Sequence, residues 1–307
     1  MKITGRARCS RGRVCGPNTE IGYAGRMTPD DRPFTLSLPE RARGPFVFAS
    51  PHSGAGVPDD MGAAAGLAAV SLRSAEDVAV DRLVASGPGR GAPLIAGRFS
   101  RSYVDLNRSP DELDPALIDG VAAGEVSAKT AAGFGVIARR AGDGAALYDR
   151  RLGLAEAQAR LALAHAPYHA AIGELMARAR EMHGRAVLVD WHSMPSRAVR
   201  GAVRGAAGPD VILGDRHGTA CEAGLTRRLR GLFEAAGWRV GLNLPYAGGY
   251  TTQTWGRPDE GYHAIQIELN RALYLDERTL LPGPGHDRCR AVLERVITSL
   301  CGGGDGE

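Results

Sequence analysis

Residues 185–190, Arg-Ala-Val-Leu-Val-Asp, form a near-continuous apolar run that ends in a carboxylate. Such a run is typical of a central strand in a parallel sheet, because helices bury both faces of that strand. Residues 211–214, Val-Ile-Leu-Gly, repeat the pattern further along the chain. These two segments therefore predict the centre of an α/β sheet.

Strand and helix signals alternate on both sides of this run. Short apolar segments predict further strands at residues 45–51, 92–96, 103–106, 238–240 and 264–268. Helical spacing or helix-favouring composition predicts helices at residues 71–86, 146–182, 221–236 and 287–300, with Pro167 as the expected break in the second. We therefore predict a single α/β domain over residues 35–300, built on a central mixed, mostly parallel sheet flanked by helices. Residues 1–34 are expected to be a disordered tail, and residues 301–307 a frayed one.

Charge and length exclude several classes of protein. The formal net charge of the 307 residues is +4, but six basic side chains against Glu20 give residues 1–26 a charge of +5. The remainder sums to −1, which does not suit a nucleic-acid-binding surface. No apolar run has the length of a signal peptide or a membrane span. We expect no nucleic-acid partner and no membrane insertion.

Cysteine usage indicates the redox setting. The five cysteines are odd in number and contain no Cys-x-x-Cys pair. This pattern argues against a disulfide framework and against a thiolate zinc site. We expect reduced thiols and a cytoplasmic location.

Three candidate functional residues follow predicted strands, where open α/β sheets bind ligands. His52 follows the first strand, His192 follows residues 185–190, and Glu268 ends residues 264–268. Asp190 could orient the His192 ring, as metal sites often require. A carboxylate in an apolar strand is costly without a partner or a task, and beside a metal Glu268 would be a natural general base. The alternatives are a turn-capping His52, a core His192 and a structural ion pair of Glu268.

A hydrolytic zinc site needs about three protein ligands and an open position. Asp77 is the preferred carboxylate ligand, with Asp81 and Glu76 as alternatives. All three would also suit the first turn of a helix, where acidic side chains favour the macrodipole. A site of this type can also bind other divalent ions.

Two further groups of side chains stand out. Arg101, Asn107 and Arg108 suit a carboxylate-binding fork or an oxyanion site, although solvated arginines are an equally ordinary reading. His165 and His169 have the i, i+4 spacing of a helical metal site, but no His-Glu-x-x-His pattern accompanies them. Helix packing is the favoured role for this histidine pair.

Five segments carry a more specific signal when they are taken together. In chain order they are Pro51-His52-Ser53-Gly54, Asp105-Leu106-Asn107-Arg108, Asp190-Trp191-His192-Ser193-Met194, Asn243-Leu244-Pro245-Tyr246-Ala247-Gly248-Gly249-Tyr250 and Gln266-Ile267-Glu268-Leu269-Asn270-Arg271-Ala272-Leu273-Tyr274. The set resembles the N-formylglutamate amidohydrolase family over roughly residues 45–280. That family is similar to zinc carboxypeptidases and aspartoacylase, which implies a phosphorylase/hydrolase-like fold.

The resemblance implies residue roles. Zinc would be bound by His52 and His192, and Glu268 would activate water. The substrate carboxylate would be held by Asn107 and Arg108.

Arg101 would polarise the scissile carbonyl. The wider superfamily has a glutamate three residues after its first histidine, where this chain has Ala55. Asp77 falls where the formylglutamate family shows an aspartate, so the resemblance favours it as the third ligand. Arg216, in the loop of residues 214–218, is a candidate for a second substrate carboxylate.

The implied activity is hydrolysis of an N-acyl amino acid, foremost N-formyl-L-glutamate to formate and L-glutamate, a reaction of the histidine-degradation type. The implied cofactor is one Zn²⁺ per chain, in a monomer or homodimer acting on a small molecule. Another N-acyl-amino-acid deacylase or a carboxypeptidase-like peptidase is the alternative among enzymes. A non-catalytic metal- or dicarboxylate-binding protein is the alternative from another class.

Overall fold

A computed structural model describes residues 32–122, 124–199 and 208–302. The strands of these residues are β1 (Phe34–Ser37), β2 (Phe46–Ser50), β3 (Leu94–Gly97), β4 (Ile118–Asp119), β5 (Leu152–Gly153), β6 (Ala186–Met194), β7 (Val211–Gly214), β8 (Val240–Leu242), β9 (Tyr262–Asn270), β10 (Leu275–Asp276) and β11 (Leu281–Pro282). The α-helices are α1 (Ala69–Arg73), α2 (Val80–Leu83), α3 (Ala128–Ala131), α4 (Leu154–Arg160), α5 (Ala166–His183), α6 (Ala223–Ala235), α7 (Tyr250–Trp255) and α8 (His286–Gly302).

Seven strands form one sheet in the order β1-β3-β2-β6-β9-β7-β8. The four strands β3, β2, β6 and β9 run parallel to one another. Strand β1 is antiparallel to β3, and β7, which is parallel to β8, is antiparallel to β9. The predicted mixed, mostly parallel sheet is confirmed, and the apolar run at residues 185–190 lies in its centre as β6.

Helices cover both faces of β6. Val187, Val189 and Trp191 pack in the main hydrophobic core with residues of α2, α6 and α8. Successive side chains of a strand point to opposite faces, so Asp190 and His192 point away from this core. Helices α5 and α7 contact β6 on that other face. The sequence pattern thus places the polar residues of β6 on one face of the sheet.

Two local predictions were wrong. Residues 103–106 form turns and not a strand, because the amides of Tyr103 and Val104 both donate to the Ser100 carbonyl. The predicted helix at residues 71–86 is split into α1 and α2. Between them the Asp77 amide donates to the His52 carbonyl at 3.0 Å, and Ala79 has a left-handed φ of +63°.

The predicted long helix begins later and continues past its proline. Helix α4 joins α5 through a π-helical segment, Leu161–His165, and Pro167 lies at the start of α5, directly after this segment. The strand predicted at residues 238–240 begins two residues later, as β8 (Val240–Leu242).

The ends of the chain are described only in part. Residues 1–31 of the predicted N-terminal tail lie outside the described residues, whereas its last residue, Phe34, begins β1. Cys301 and Gly302, predicted to be frayed, end α8, and residues 303–307 lie outside the description. No helix within the described ranges is long and apolar enough to cross a membrane.

Candidate active site

The sheet brings three candidate residues to one edge. Strands β2, β6 and β9 are neighbours, and His192 of β6 is paired in register with Glu268 of β9. His52 follows the end of β2 by two residues. All three side chains line one cavity of about 250 Å³. Asp77, Arg101, Asn107 and Arg108, which the sequence also singled out, line the same cavity.

His52, Asp77 and His192 form a buried group that could hold a metal ion. One ligand atom from each residue lies within 4.8 Å of the other two. Nδ1 of His192 is 3.0 Å from Oδ2 of Asp77, and Nδ1 of His52 is 3.4 Å from the same oxygen. Both rings therefore present Nδ1 to one carboxylate oxygen.

The second nitrogen of each ring faces another carboxylate. Nε2 of His52 is 2.7 Å from Oδ1 of Asp105, and Nε2 of His192 is 2.9 Å from Oδ2 of Asp190. Such partners fix the orientation and tautomer of a metal-binding imidazole. Nδ1 of His52 is buried and, within the described residues, accepts no hydrogen bond. Two imidazole nitrogens and one carboxylate fit a divalent ion of the zinc type and leave room for a further ligand.

Asp77 is held so that only one of its oxygens faces the histidines. Its Oδ1 accepts hydrogen bonds from Arg271 Nη2 at 3.0 Å and from Ser193 Oγ at 3.1 Å. Burial disfavours the carboxylate form, but His192 and His52 outweigh burial and hold the pKa of Asp77 well below its usual range. Asp77 is therefore ionised, as a metal ligand must be.

The two alternative carboxylates do not join this group. Glu76 is buried in an ion pair with Arg73, whose Nε donates to Oε2 of Glu76 at 2.8 Å. Asp81 is partly exposed at the start of α2. A turn replaces the middle of the predicted helix and points Asp77 at His52. This turn therefore decides which of the three acidic side chains lies beside the histidines.

Glu268 is buried beside the candidate metal ligands. Gln266 Nε2 donates to its Oε1 at 2.8 Å. Burial raises the pKa of Glu268 to about 7; His192 opposes this effect and Asp77 adds to it. A carboxylate that titrates near neutral pH can both take up and release a proton, which suits a general base.

The raised pKa of Glu268 predicts a cost in stability for the metal-free protein. A carboxyl whose pKa rises from 4.5 to about 7 on folding favours the folded state at low pH, and this contribution is lost as pH rises through 7. We expect Glu268→Gln to stabilise the metal-free protein by about 3 kcal/mol more at pH 8 than at pH 5. Urea unfolding at both pH values measures the difference, with the exposed Glu181→Gln as control. An unchanged pH dependence would contradict the assignment.

The cationic wall of the cavity is centred on Asp105. Arg101 Nη2 donates to Asp105 Oδ2 at 2.6 Å, whereas Arg108 Nε is 3.8 Å from the same oxygen. Burial disfavours ionisation of Asp105, but Arg101 and His52 outweigh it and keep its pKa well below the usual range. Nε of Arg108 is buried and has no hydrogen-bond partner within the ranges that the structure describes. Arg108 thus pairs with Asp105 by charge, without a hydrogen bond from its Nε to any described residue.

Asn107 is engaged by protein groups on both ends of its amide. Its Oδ1 accepts from the Thr251 amide at 2.8 Å, and its Nδ2 donates to Gln266 Oε1 at 3.2 Å. A Cβ atom at Gly249 would lie 2.5 Å from that Oδ1, so only glycine permits this approach. Nδ2 also lies 3.2 Å from Nε2 of His192.

Arg216 does not line the cavity. Its backbone has a left-handed φ of +53°, and its amide donates to the Ala247 carbonyl at 2.8 Å. The loop thereby supports the segment that lines the cavity, while the Arg216 side chain does not contribute to the lining.

Other residues of the cavity were missed by the sequence reasoning. They are Lys129, Arg140, Arg197, Tyr246, Gln266 and Arg271. Arg271 and Gln266 lie in the same sequence segment as Glu268, and this nearness could have identified them as candidates. Lys129 is one of only two lysines in the chain, the other being Lys2. Partial burial and the neighbouring Arg108 lower the pKa of Lys129, which is consistent with an excess of positive charge on this wall.

Comparisons with known proteins find a matching family, similar sequences and a similar solved structure. The sequence model of a family described as N-formylglutamate amidohydrolase matches residues 44–275. N-formylglutamate deformylase of Pseudomonas aeruginosa is 31% identical over 268 residues, which are 85% of this chain and 94% of that protein. N-formylglutamate deformylase of Pseudomonas putida is 30% identical over 77% of this chain and 84% of its own length. The crystal structure of N-formylglutamate amidohydrolase from Ralstonia eutropha JMP134 superposes with a TM-score of 0.82 at 36% identity, covering 88% of this chain and 97% of that one.

Proposed function

The chain belongs to the N-formylglutamate amidohydrolase family, and from this premise we propose that it hydrolyses N-formyl-L-glutamate to formate and L-glutamate. One observation carries the proposal. A buried carboxylate with a pKa of about 7, Glu268, lies in the same cavity as a three-residue group suited to a metal ion. This pair of features is what metal-assisted hydrolysis of an amide requires.

We propose Zn²⁺ as the cofactor, held by Nδ1 of His52, Nδ1 of His192 and Oδ2 of Asp77. The donor set of two imidazoles and one carboxylate supports zinc. The ion supplies Lewis acidity, which polarises the scissile carbonyl and makes water easier to deprotonate.

Glu268 takes the proton from the attacking water as the new C–O bond forms at the formyl carbon. It then returns this proton to the amide nitrogen as the C–N bond breaks, which yields formate and the free amine of glutamate. Arg101 stabilises the oxyanion that forms on the carbonyl oxygen. Arg101 is bound to Asp105, so its guanidinium is fixed before the substrate enters.

The cavity favours an anionic substrate. We propose that Arg108 and Lys129 bind a substrate carboxylate, since both line the cavity, Arg108 Nε makes no hydrogen bond within the described residues, and Asp105 is hydrogen-bonded to Arg101 and His52. Asn107 stands beside Arg108, and we assign it to holding this wall in place, because its amide is bound to Thr251 and Gln266. Arg216 is not assigned to the substrate.

A substrate panel tests the proposal. We expect kcat/KM for N-formyl-L-glutamate to exceed that for N-formyl-L-glutamine at least tenfold, because the glutamine compound lacks one negative charge. We expect it to exceed that for N-acetyl-L-glutamate at least tenfold as well, because the acetyl group needs a larger acyl site. Lys129→Met should raise KM for N-formyl-L-glutamate about tenfold, the effect of one charged hydrogen bond. Preference for the acetyl compound or for peptides would instead favour another deacylase or a peptidase. Binding without turnover would favour a non-catalytic protein.

A further inference from the structure

His165 and His169 lie outside the candidate metal group, yet both contact the wall that carries Arg108. His165 ends the π-helical segment, and His169 stands one turn later in α5. Their rings lie 4.5 Å apart between centroids, and the Tyr250 ring is within 5.6 Å of each. The pair that the sequence offered as a possible metal site is therefore packed against α7.

Each histidine binds a backbone carbonyl of the segment Leu106-Asn107-Arg108. His169 Nε2 donates to the Leu106 carbonyl at 2.8 Å, and His165 Nε2 donates to the Arg108 carbonyl at 2.9 Å. The Asn107 carbonyl between them accepts from the Tyr250 amide at 3.5 Å. Three successive carbonyls are thus held from α5 and α7. Segments outside strands and helices have no ladder of their own to satisfy these groups.

Both rings are neutral and their tautomers are defined. Burial and the neighbouring His165 lower the pKa of His169 to about 3, and burial lowers the pKa of His165. A neutral imidazole has a single N–H, and here that group is Nε2–H. Trp255 Nε1 donates to Nδ1 of His169 at 3.4 Å, which matches this tautomer. The one donor of each ring is used on the backbone.

We propose that His165 and His169 are positioning residues for substrate binding: their Nε2–H groups hold the backbone on either side of Asn107 and so aim Arg108 into the cavity. The inference rests on the proposed function, because it assigns Arg108 to a substrate carboxylate. Asp105, which precedes the segment by one residue, is held by Arg101 and His52, and the Asn107 side chain is held by Thr251 and Gln266. Because these anchors do not involve the histidine pair, we expect loss of the pair to weaken substrate binding and to leave the metal group and Glu268 in place.

The π-helical segment is part of this arrangement. A π segment within an α-helix shifts the helix face by one residue, and such segments are frequent at functional sites. Here it ends at His165, so the two histidines leave the helix on the side that faces Leu106–Arg108. The helix geometry and the carbonyl contacts thus point to one role.

The experiment compares His165→Leu and His169→Leu with His165→Gln and His169→Gln. Leu removes the donor, and Gln keeps an N–H that can reach the same carbonyl and does not titrate. We expect each Leu variant to raise KM for N-formyl-L-glutamate about tenfold or more, with kcat within threefold and zinc content unchanged. The Gln variants should return KM to within threefold of wild type. If His169→Leu does not fold, His169→Asn replaces it, because the Asn side chain is polar but too short to reach the Leu106 carbonyl.

His263→Leu is the matched control. His263 is also buried and backbone-bound, with Nδ1 accepting from the Glu222 amide at 3.2 Å, but it lies at the start of β9, away from the cavity. This variant should lose thermal stability and keep its KM. The proposal would be overturned if the Leu variants at 165 and 169 kept the wild-type KM. It would also be overturned if KM rose while kcat and zinc content both fell.

Failure of the proposed function is distinguishable from failure of this inference. If the wild type does not turn over N-formyl-L-glutamate, the function fails, and calorimetric titration with L-glutamate then provides the comparison among the same variants. A Kd that rises about tenfold with Leu and recovers with Gln supports the positioning role without any turnover. An equal Kd in all variants rejects it.

Discussion

We expect Glu268→Gln to lower kcat for N-formyl-L-glutamate about 1,000-fold and to leave the zinc content at the wild-type level. Gln preserves the size of the side chain and its contact with Gln266, but it cannot accept a proton from water, and general-base catalysis contributes about 10²–10⁴-fold. Since Glu268 is not among the group of His52, Asp77 and His192, metal binding is spared. Steady-state kinetics with elemental analysis of the same samples measure both quantities.

The acid limb of the wild-type pH profile gives a second readout of the same change. The proposed mechanism needs ionised Glu268, whose pKa is about 7 in the metal-free protein, and a bound cation favours the ionised form. The activity of the wild type therefore falls with an apparent pKa at or below about 7, and the residual activity of Glu268→Gln lacks this limb. The exposed Glu181→Gln serves as control and keeps both kcat and the limb. A kcat for Glu268→Gln within tenfold of the wild type would remove Glu268 from the mechanism.

We expect His192→Ala to abolish zinc binding and to lower kcat/KM at least 1,000-fold. The wild type, dialysed against zinc and then against metal-free buffer, should retain about one ion per chain. The variant loses one of the three proposed ligands and leaves the carboxyl groups of Asp77 and Asp190 without the imidazole that contacts both. Elemental analysis of untagged protein measures the ratio of zinc to chain.

His263→Ala is the control for this experiment, because it removes a buried imidazole from the same sheet without touching the cavity. It should keep one zinc per chain. If the wild type neither contains nor rebinds zinc, metal-assisted hydrolysis is rejected and the non-catalytic binding protein becomes the better reading. Zinc retained by His192→Ala would place the ion elsewhere.

Local sequence signals do not distinguish the three acidic residues that were candidates for the metal group. Asp77, Glu76 and Asp81 are equivalent as acidic residues in a predicted helix, and the sequence ranked them only through a family resemblance. The structure separates them, because the Asp77 amide binds the His52 carbonyl and breaks the helix there. That contact joins residues 25 positions apart, so no periodicity of the chain encodes it.

Cationic residues illustrate the same limit. Arginine is common in this chain, and Arg216 and Arg271 look alike as isolated residues. The backbone turn at residues 215–218 leaves Arg216 out of the cavity lining, whereas Arg271 is buried against Asp77 and Ser193. Lys129 joins the cavity through a short helix that has no clear apolar period.

By itself, the sequence determined the α/β class, the central position of residues 185–190 and the strand that carries Glu268, because apolar runs and their spacing are local consequences of burial. It also predicted that His52, His192 and Glu268 lie near the ends of strands, although β6 and β9 extend two residues beyond His192 and Glu268. Only the tertiary structure decided that β2, β6 and β9 are neighbours, that Asp77 faces both imidazoles, and that His165 and His169 bind the carbonyls beside Asn107. These contacts join residues far apart in the chain. They depend on which strands pair and where turns interrupt helices, and those choices are made by the packing of the whole domain.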